Sequence, residues 1–340
     1  MPKTVSPSAQ RTERPFPVLA SNRTGWNLPG TPMGLQWALL FFLPLAAAGY
    51  CLWSKLGALP EDAWSWTVYP GALLGAILLM PVNWGLECFK WAELLPWAPM
   101  RRRVREVLYG TAWSLIGPFR LGAGIGRVSA VQKRERNMAM RAFAAACVSQ
   151  WWCTITGAGI GLLIAGYWMA GMSVALISAT ALGLYLGWTP GFWATLKTTP
   201  FCGNWGLTRR IATIRRKRAL NLSIARYVIM VVQFVLLLNA FGHHASMDHW
   251  VGRMFEQVEG VSLTWGLTSL VPMPALGDLG IREAAALLTI PAPEPMDATA
   301  IIGATLTLWV LNILIPALVG LVWHASAQRR INGLRTNLGA

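Results

Sequence analysis

Ser269-Leu-Val-Pro-Met-Pro-Ala-Leu-Gly-Asp-Leu-Gly-Ile-Arg-Glu283 interrupts an apolar run that extends from Val261 to Ile290. An ordinary membrane-spanning helix does not accommodate Pro272, Pro274, Gly277, Asp278, Gly280, Arg282 and Glu283 within a few turns. Proline removes a backbone donor, and an ion in hydrocarbon is strongly disfavoured. Residues of these kinds are tolerated at membrane depth where a broken helix lines a protein-enclosed cavity. The stretch therefore predicts a broken, re-entrant helix pair set among spanning helices.

The composition agrees. Of 340 residues, 54% are hydrophobic and only 13% charged, yet the formal net charge is +15. A soluble protein carries about a quarter of its residues charged. Nucleic-acid binding would account for the charge but not for 19 Trp and the long apolar runs. The same apolar content excludes a disordered chain. The figures fit an all-α, polytopic membrane protein with apolar residues in lipid and basic ones in the flanking loops. The five cysteines (Cys51, Cys88, Cys147, Cys153, Cys202) include no CxxC pair and read as small core residues, neither a disulfide framework nor a metal site.

Working outward, six runs are long enough to span: Gly34–Trp53, Trp66–Leu86, Ala142–Ala165, Trp168–Trp188, Ala225–Phe241 and Thr299–Trp323. Residues 1–33 are polar, rich in Pro, Ser and Arg, and read as a disordered cytoplasmic arm. An uncleaved anchor is expected at the first run, because the apolar stretch continues past Ala46-Ala-Ala48. The transmembrane domain is expected over 34–325, with a cytoplasmic tail at 326–340. A second irregular segment, Val107–Ile125, is short, Gly-rich, and carries Pro118, Arg120 and Arg127, so it too reads as a broken re-entrant pair.

Charge sidedness supports re-entrance at both places. With the N-terminus inside, the arm, 86–141, 197–226 and the C-terminus all face the cytoplasm and hold 26 of the 29 Lys and Arg residues. Positive residues belong inside. The two broken elements then enter from opposite sides, and Pro118-Phe-Arg-Leu-Gly-Ala-Gly-Ile-Gly-Arg127 echoes Pro274-Ala-Leu-Gly-Asp-Leu-Gly-Ile-Arg282. This is the pattern of an inverted-repeat transporter with its site between the repeats.

Three motifs carry a family resemblance: Pro81-Val-Asn-Trp-Gly-Leu-Glu-Cys-Phe-Lys-Trp-Ala-Glu-Leu-Leu95, the stretch 118–127, and the stretch 269–283. In order and spacing the chain resembles the flippase-like membrane domain of lysylphosphatidylglycerol synthases and its stand-alone relatives. The resemblance implies movement of a lipid or lipid-linked molecule between leaflets of a bacterial inner membrane. It does not carry the substrate over, because relatives are associated with aminoacylated phospholipids, hopanoids and glycolipid precursors. Two departures matter. No aminoacyl-transferase domain follows within the 340 residues, so lipid synthesis by that route is not expected. Ala123 stands where many relatives have Glu after Arg-x-Gly.

On physical grounds, Arg120 and Arg127 would share a face on a continued helix. Their guanidinium forks suit phosphate oxygens, and Gly122, Gly124 and Gly126 would let backbone amides approach an anion. The competing reading for Arg127 is a positive-inside anchor at the cytoplasmic interface. Asp278 and Arg282, spaced i,i+4, can form a self-neutralising pair. Alternatively Asp278 or Glu283 exchanges a proton or cation while Arg282 holds the head group. Asn83, Glu87 and Lys90 lie at the inner end of the second span. Glu87 and Lys90 are spaced to pair, and Trp84, Lys90 and Trp91 read as an interface anchor.

Other signals lead elsewhere. Gly122-Ala-Gly-Ile-Gly-Arg127 lacks the preceding strand and third-glycine spacing of a dinucleotide loop. His243, His244, Asp248 and His249 read as a solvated external loop, with no metal implied. Gly157-Ala-Gly-Ile-Gly161 contains GxxxG, which points to close packing within the bundle or to a homodimer contact. Arg209–Arg218, with six basic residues, should attract anionic inner-leaflet lipids in preference to nucleic acid. The expectation is a flippase or scramblase without cofactor or ATPase of its own, binding an anionic or zwitterionic head group through Arg120, Arg127, Gly122, Gly126, Arg282 and Asn83. The rival classes are an integral-membrane transferase acting on a lipid-linked substrate and a non-transporting membrane scaffold.

Overall fold

The computed structural model describes residues 43, 46–55, 57, 68–96, 98–115, 117, 121–186, 209–242, 250–271, 273–292, 295–323 and 325–326. The expected arm at 1–33, most of the first expected span, Pro118, Arg120, Pro272, the histidine loop and nearly all of the tail lie outside these residues. Among the described residues the chain is all helical, with no strand.

Five helices are long and apolar enough to cross a membrane, the coarse architecture of a multi-pass membrane protein. They correspond to the second through sixth expected spans, with bounds that differ at most ends. Helix α1 (Pro70–Leu94) begins with Pro at its first turn, where the missing N–H would have no helical partner, and carries Pro81 on an exposed face. Helices α4 (Arg136–Ile164) and α5 (Trp168–Leu186) form a hairpin. Helix α6 (Arg209–Ala240) starts well before the expected Ala225, so the basic stretch Arg209–Arg218 continues the spanning helix as a polar extension. Helix α9 (Pro295–Trp309) passes through a π-helical turn at Val310–Leu314 and continues to Trp323.

The two irregular segments are helix pairs. The first is α2 (Met100–Ser114) packed on α3 (Leu121–Ser129); the second is α7 (Trp250–Leu270) packed on α8 (Asp278–Thr289). Their breaks meet. Ala275 N–H donates to Ser114 O at 3.0 Å and Leu276 N–H to Leu115 O at 3.3 Å. The Trp309 indole N–H clamps the same corner through Ala275 O at 2.9 Å. Backbone groups exposed by one break are thus partly satisfied by the other, which is what unwound chain away from water requires.

Close approach within the first pair depends on missing side chains. A Cβ on Gly122 would lie 2.1 Å from Trp113 O, and one on Gly110 would lie 2.5 Å from the Arg127 Cγ. In the second pair the helix does not run smoothly from Asp278. Leu279 is extended and Gly280 has φ +86°, a value L-residues avoid.

Helices α1 and α6 form the axis of the molecule and run antiparallel. Tyr69 N–H donates to Ala240 O, Gln233 Nε2 to Ala76 O, and Arg226 Nε to Asn83 Oδ1. Each step of seven residues along α1 is matched by seven back along α6, the register of a shallow helix crossing. Around this seam the main core gathers Phe234, Leu237, Leu238, Val261, Ile301 and Leu308, all nearly inaccessible. Outward faces are apolar instead: Met169 is 85% exposed and Leu176 71%, a surface suited to lipid tails and not to water.

The close packing expected of GxxxG is present inside the bundle. Gly157 leaves room for the Tyr227 ring of α6, and Gly161 packs on the Glu259 carbonyl and Leu263 of α7.

Candidate functional site

One face of α1 carries Asn83, Glu87 and Lys90, spaced so that all three point toward α6 and the first helix pair. Asn83 and Lys90 are each 1% exposed. Lys90 and Trp91 are therefore interior residues and do not form the expected interface anchor. Glu87 is the hub. Its Oε1 accepts from Arg127 at 2.8 Å, and its Oε2 faces Lys90 Nζ at 2.7 Å and Arg226 at 2.9 Å. Gln150 of α4 completes the ring, accepting from Arg226 at 3.2 Å and Lys90 at 3.4 Å.

Neighbouring elements hold these groups in place. The Arg127 guanidinium lies over the Trp91 ring at 5.3 Å and near Phe143 at 5.8 Å, where a flat cation gains from the ring faces. Its aliphatic stem passes Gly110. Trp91 in turn donates to Glu106 at 2.8 Å, and Glu106 also receives Arg103 at 2.5 Å and Arg102 at 2.9 Å. Arg102 reaches Glu135 at 3.0 Å. This second group is charge-balanced and fixes the floor under Arg127.

Above Glu87 the network continues toward the molecular centre. Arg226 donates to Asn83, Asn83 to Asn312 at 2.6 Å, Asn312 to Gln233 at 2.8 Å, and Gln233 to the Ala76 carbonyl at 2.9 Å. Asn312 lies in the π-helical turn of α9. Single π-turns inserted in α-helices often mark functional sites, because they displace side chains from the regular register. Here a polar chain runs through the middle of an apolar bundle.

A separate group occupies the second helix pair. Arg282 donates to Asp278 at 2.8 Å and lies over Trp265 at 5.2 Å. Glu283 accepts the Gly280 backbone N–H at 2.5 Å, so it caps the short helix that follows the kink. Its other carboxylate oxygen is buried without a hydrogen-bond partner among the described residues. Asp278, Arg282 and Glu283 are all at most 3% exposed.

The sequence-derived residues thus divide. Asn83 and Arg127 belong to the Glu87 cluster; Asp278, Arg282 and Glu283 form the other group; Arg120 lies outside the described residues. Gly122 and Gly126 both face Trp113 of α2 at distances that leave no room for a side chain, so they serve close helix packing. The expected helical pairing of Asp278 with Arg282 is present, but it bridges the kink at Leu279–Gly280.

Arg226, Gln150, Gln233 and Asn312 were not legible as site residues. A signal is present: Gln233 interrupts the apolar part of α6, and Arg226 lies seven residues earlier at its edge, matching Ala76 and Asn83 on α1. Of the basic stretch, Arg216 donates to the Tyr185 carbonyl at 3.3 Å and Arg218 pairs with Glu93 at 3.6 Å.

Comparison with protein-family models, curated proteins and solved structures gives no match. The functional reading rests on the chain's own geometry.

Proposed function

We propose that this chain is a lipid translocase: it moves a lipid or lipid-linked head group between leaflets, with the acyl tails remaining in the surrounding bilayer. The observation that carries the reading is the meeting of two broken helix pairs through Ala275, Leu276, Ser114 and Leu115. Each pair contributes to a buried charged group, Arg127 meeting Glu87 of α1 on one side and Asp278 with Arg282 and Glu283 on the other. Discontinuous helices that meet at mid-depth are the form in which transporters build polar sites in lipid. The packing also supports an inverted repeat: α1–α4 and α6–α9 share the order span, broken pair, span, and α1 lies antiparallel to α6.

In the proposed mechanism the positive-inside bias places the Glu87 cluster toward the cytoplasmic leaflet of a bacterial inner membrane, with both termini cytoplasmic. The head group is captured by Arg226, Lys90, Arg127 and Asn83. It then passes the junction of the two breaks to the Asp278–Arg282–Glu283 group. Glu283, a buried carboxylate with one oxygen unpartnered among the described residues, is the proton or ion carrier in this scheme.

The test is reconstitution in liposomes carrying a fluorescent phospholipid, with a membrane-impermeant reductant added outside. Translocation exposes inner-leaflet label to the reductant. Protection of that label equal to protein-free vesicles, for anionic and zwitterionic head groups alike, rejects the proposal. Chemical conversion of the lipid identifies a transferase instead.

A further inference from the structure

The Glu87 cluster has a charge imbalance. One carboxylate faces three cations, Lys90, Arg127 and Arg226, within 2.7–2.9 Å, leaving two positive charges in excess. The adjoining group of Arg102, Arg103, Glu106 and Glu135 is balanced, so extending the boundary among the described residues leaves the same excess. Side-chain exposure is 2% at Lys90 and 8% at Arg127, but 23% at Arg226. Two uncompensated charges in a poorly solvated place are costly without a counter-ion. The Arg226 side is where one can arrive.

The polar groups around this opening suit one chemistry. Asn83, Gln150 and Glu87 already accept from Arg226 through two of its nitrogens, so its guanidinium is fixed in direction while still partly exposed. With the Nε hydrogen and both Nη1 hydrogens so engaged, the two Nη2 N–H groups remain, and a guanidinium donor fixed beside an ammonium favours a compact, multiply charged oxyanion. Carboxylate ligands would supply one charge and a zwitterionic head group none.

We infer that this site binds a phosphate dianion, the head group of a phosphomonoester or diphosphate lipid; the inference rests on the translocase reading of the same site. It deepens that reading from an anionic or zwitterionic head group to a doubly charged phosphate.

The test is lipid binding to the purified full chain by native mass spectrometry, independent of transport. Three dioleoyl lipids are compared: phosphatidic acid, phosphatidylglycerol and phosphatidylcholine. Phosphatidic acid should bind about 10- to 100-fold more tightly than the other two, the range for hydrogen bonds to charged groups. Arg226→Gln should remove most of that preference, lowering phosphatidic acid affinity far more than phosphatidylcholine affinity, with Glu87 still paired to Lys90 and Arg127 so that the fold is retained. Arg226→Lys, which preserves charge without the fixed planar guanidinium, should fall between. Competition with inorganic phosphate distinguishes the sources. Displacement of phosphatidic acid shows that the phosphate alone suffices, whereas retention shows that the acyl chains are part of the ligand.

Equal binding of phosphatidic acid and phosphatidylglycerol overturns the inference, because a site built for two negative charges must separate a dianion from a monoanion. A preference that survives Arg226→Gln also overturns it. Dianion binding without lipid movement in the liposome assay defeats the translocase reading alone, while movement of zwitterionic lipid with no dianion preference defeats this inference alone.

Discussion

Replacing Glu87 by Gln tests whether the cluster is organised by that carboxylate. The side chain keeps its shape but loses one acceptor. If the amide oxygen stays toward Arg127, the NH2 group points at Lys90 Nζ and Arg226, donor against donor, where the carboxylate oxygen lies 2.7 and 2.9 Å from them. Three cations then share a poorly solvated site without a carboxylate. Removing one partner of a buried ion pair costs about 3–5 kcal/mol. The lower half of that range is expected, because Arg226 is 23% exposed and can turn outward. The compensating change is Lys90→Met, which takes away the most deeply buried cation. The double variant should regain about 0.5–3 kcal/mol relative to the sum of the single changes, the usual coupling between contacting charged residues. The assay is reversible denaturation in mixed micelles followed by tryptophan fluorescence, with Trp91 beside the cluster as one reporter. A Glu87→Gln variant within about 0.5 kcal/mol of the parent, the range of a surface substitution, would refute the hub role. So would strict additivity with Lys90→Met.

Further outcomes follow from named contacts. Gly122→Ala should destabilise by about 1–3 kcal/mol through overpacking against the Trp113 carbonyl. Gly85→Ala, with open space at its Cβ, should be neutral or gain up to about 1 kcal/mol in the same melts. Gly280→Ala should lose about 1–2 kcal/mol because φ +86° is unfavourable for alanine. Asn312→Leu strands the Asn83 amide and the Gln233 carbonyl oxygen, so a loss of about 1–3 kcal/mol is expected in denaturant titration. Arg282→Lys should weaken the contact with the Trp265 face by about 0.5–2 kcal/mol and alter indole emission relative to a Trp265→Phe background.

Five of the six expected spans and the two helix breaks were legible because hydropathy and clustered Pro and Gly act locally. A run of apolar residues long enough to cross a bilayer is visible without knowing its neighbours, and Pro274, Gly277 and Gly280 crowded together interrupt a helix where the lone Pro81 does not. The i,i+4 pair of Asp278 and Arg282 was legible for the same reason. The Glu87 cluster was not, since three of its members come from helices separated by long stretches of chain. Sequence spacing placed Lys90 and Trp91 at a helix end, where anchoring is the default. Only the packing of α3, α4 and α6 around that end makes it interior. Helix α6 hid its extension because hydropathy sees lipid contact and not helicity, so the basic turns before Ala225 read as loop. Gly122 and Gly126 show a further limit: glycine permits close approach, and the sequence does not say whether backbone or ligand does the approaching.

The antiparallel seam of α1 and α6 also bears on how the molecule is made. Glu87 and Arg226 are separated by 139 residues, so α1 leaves the ribosome long before its partner exists. Lys90, one turn further along α1, neutralises Glu87 from within the same helix. That local pair lets α1 enter the bilayer without a net charge on its inner face. Arg226 sits where the basic extension of α6 meets its apolar part, and can wait at the membrane surface until the seam closes. The rungs at Ala76 and Asn83 then fix the register of the late helix against the early one. A chain lacking Lys90 should therefore suffer first in insertion, before any defect in the finished protein is felt.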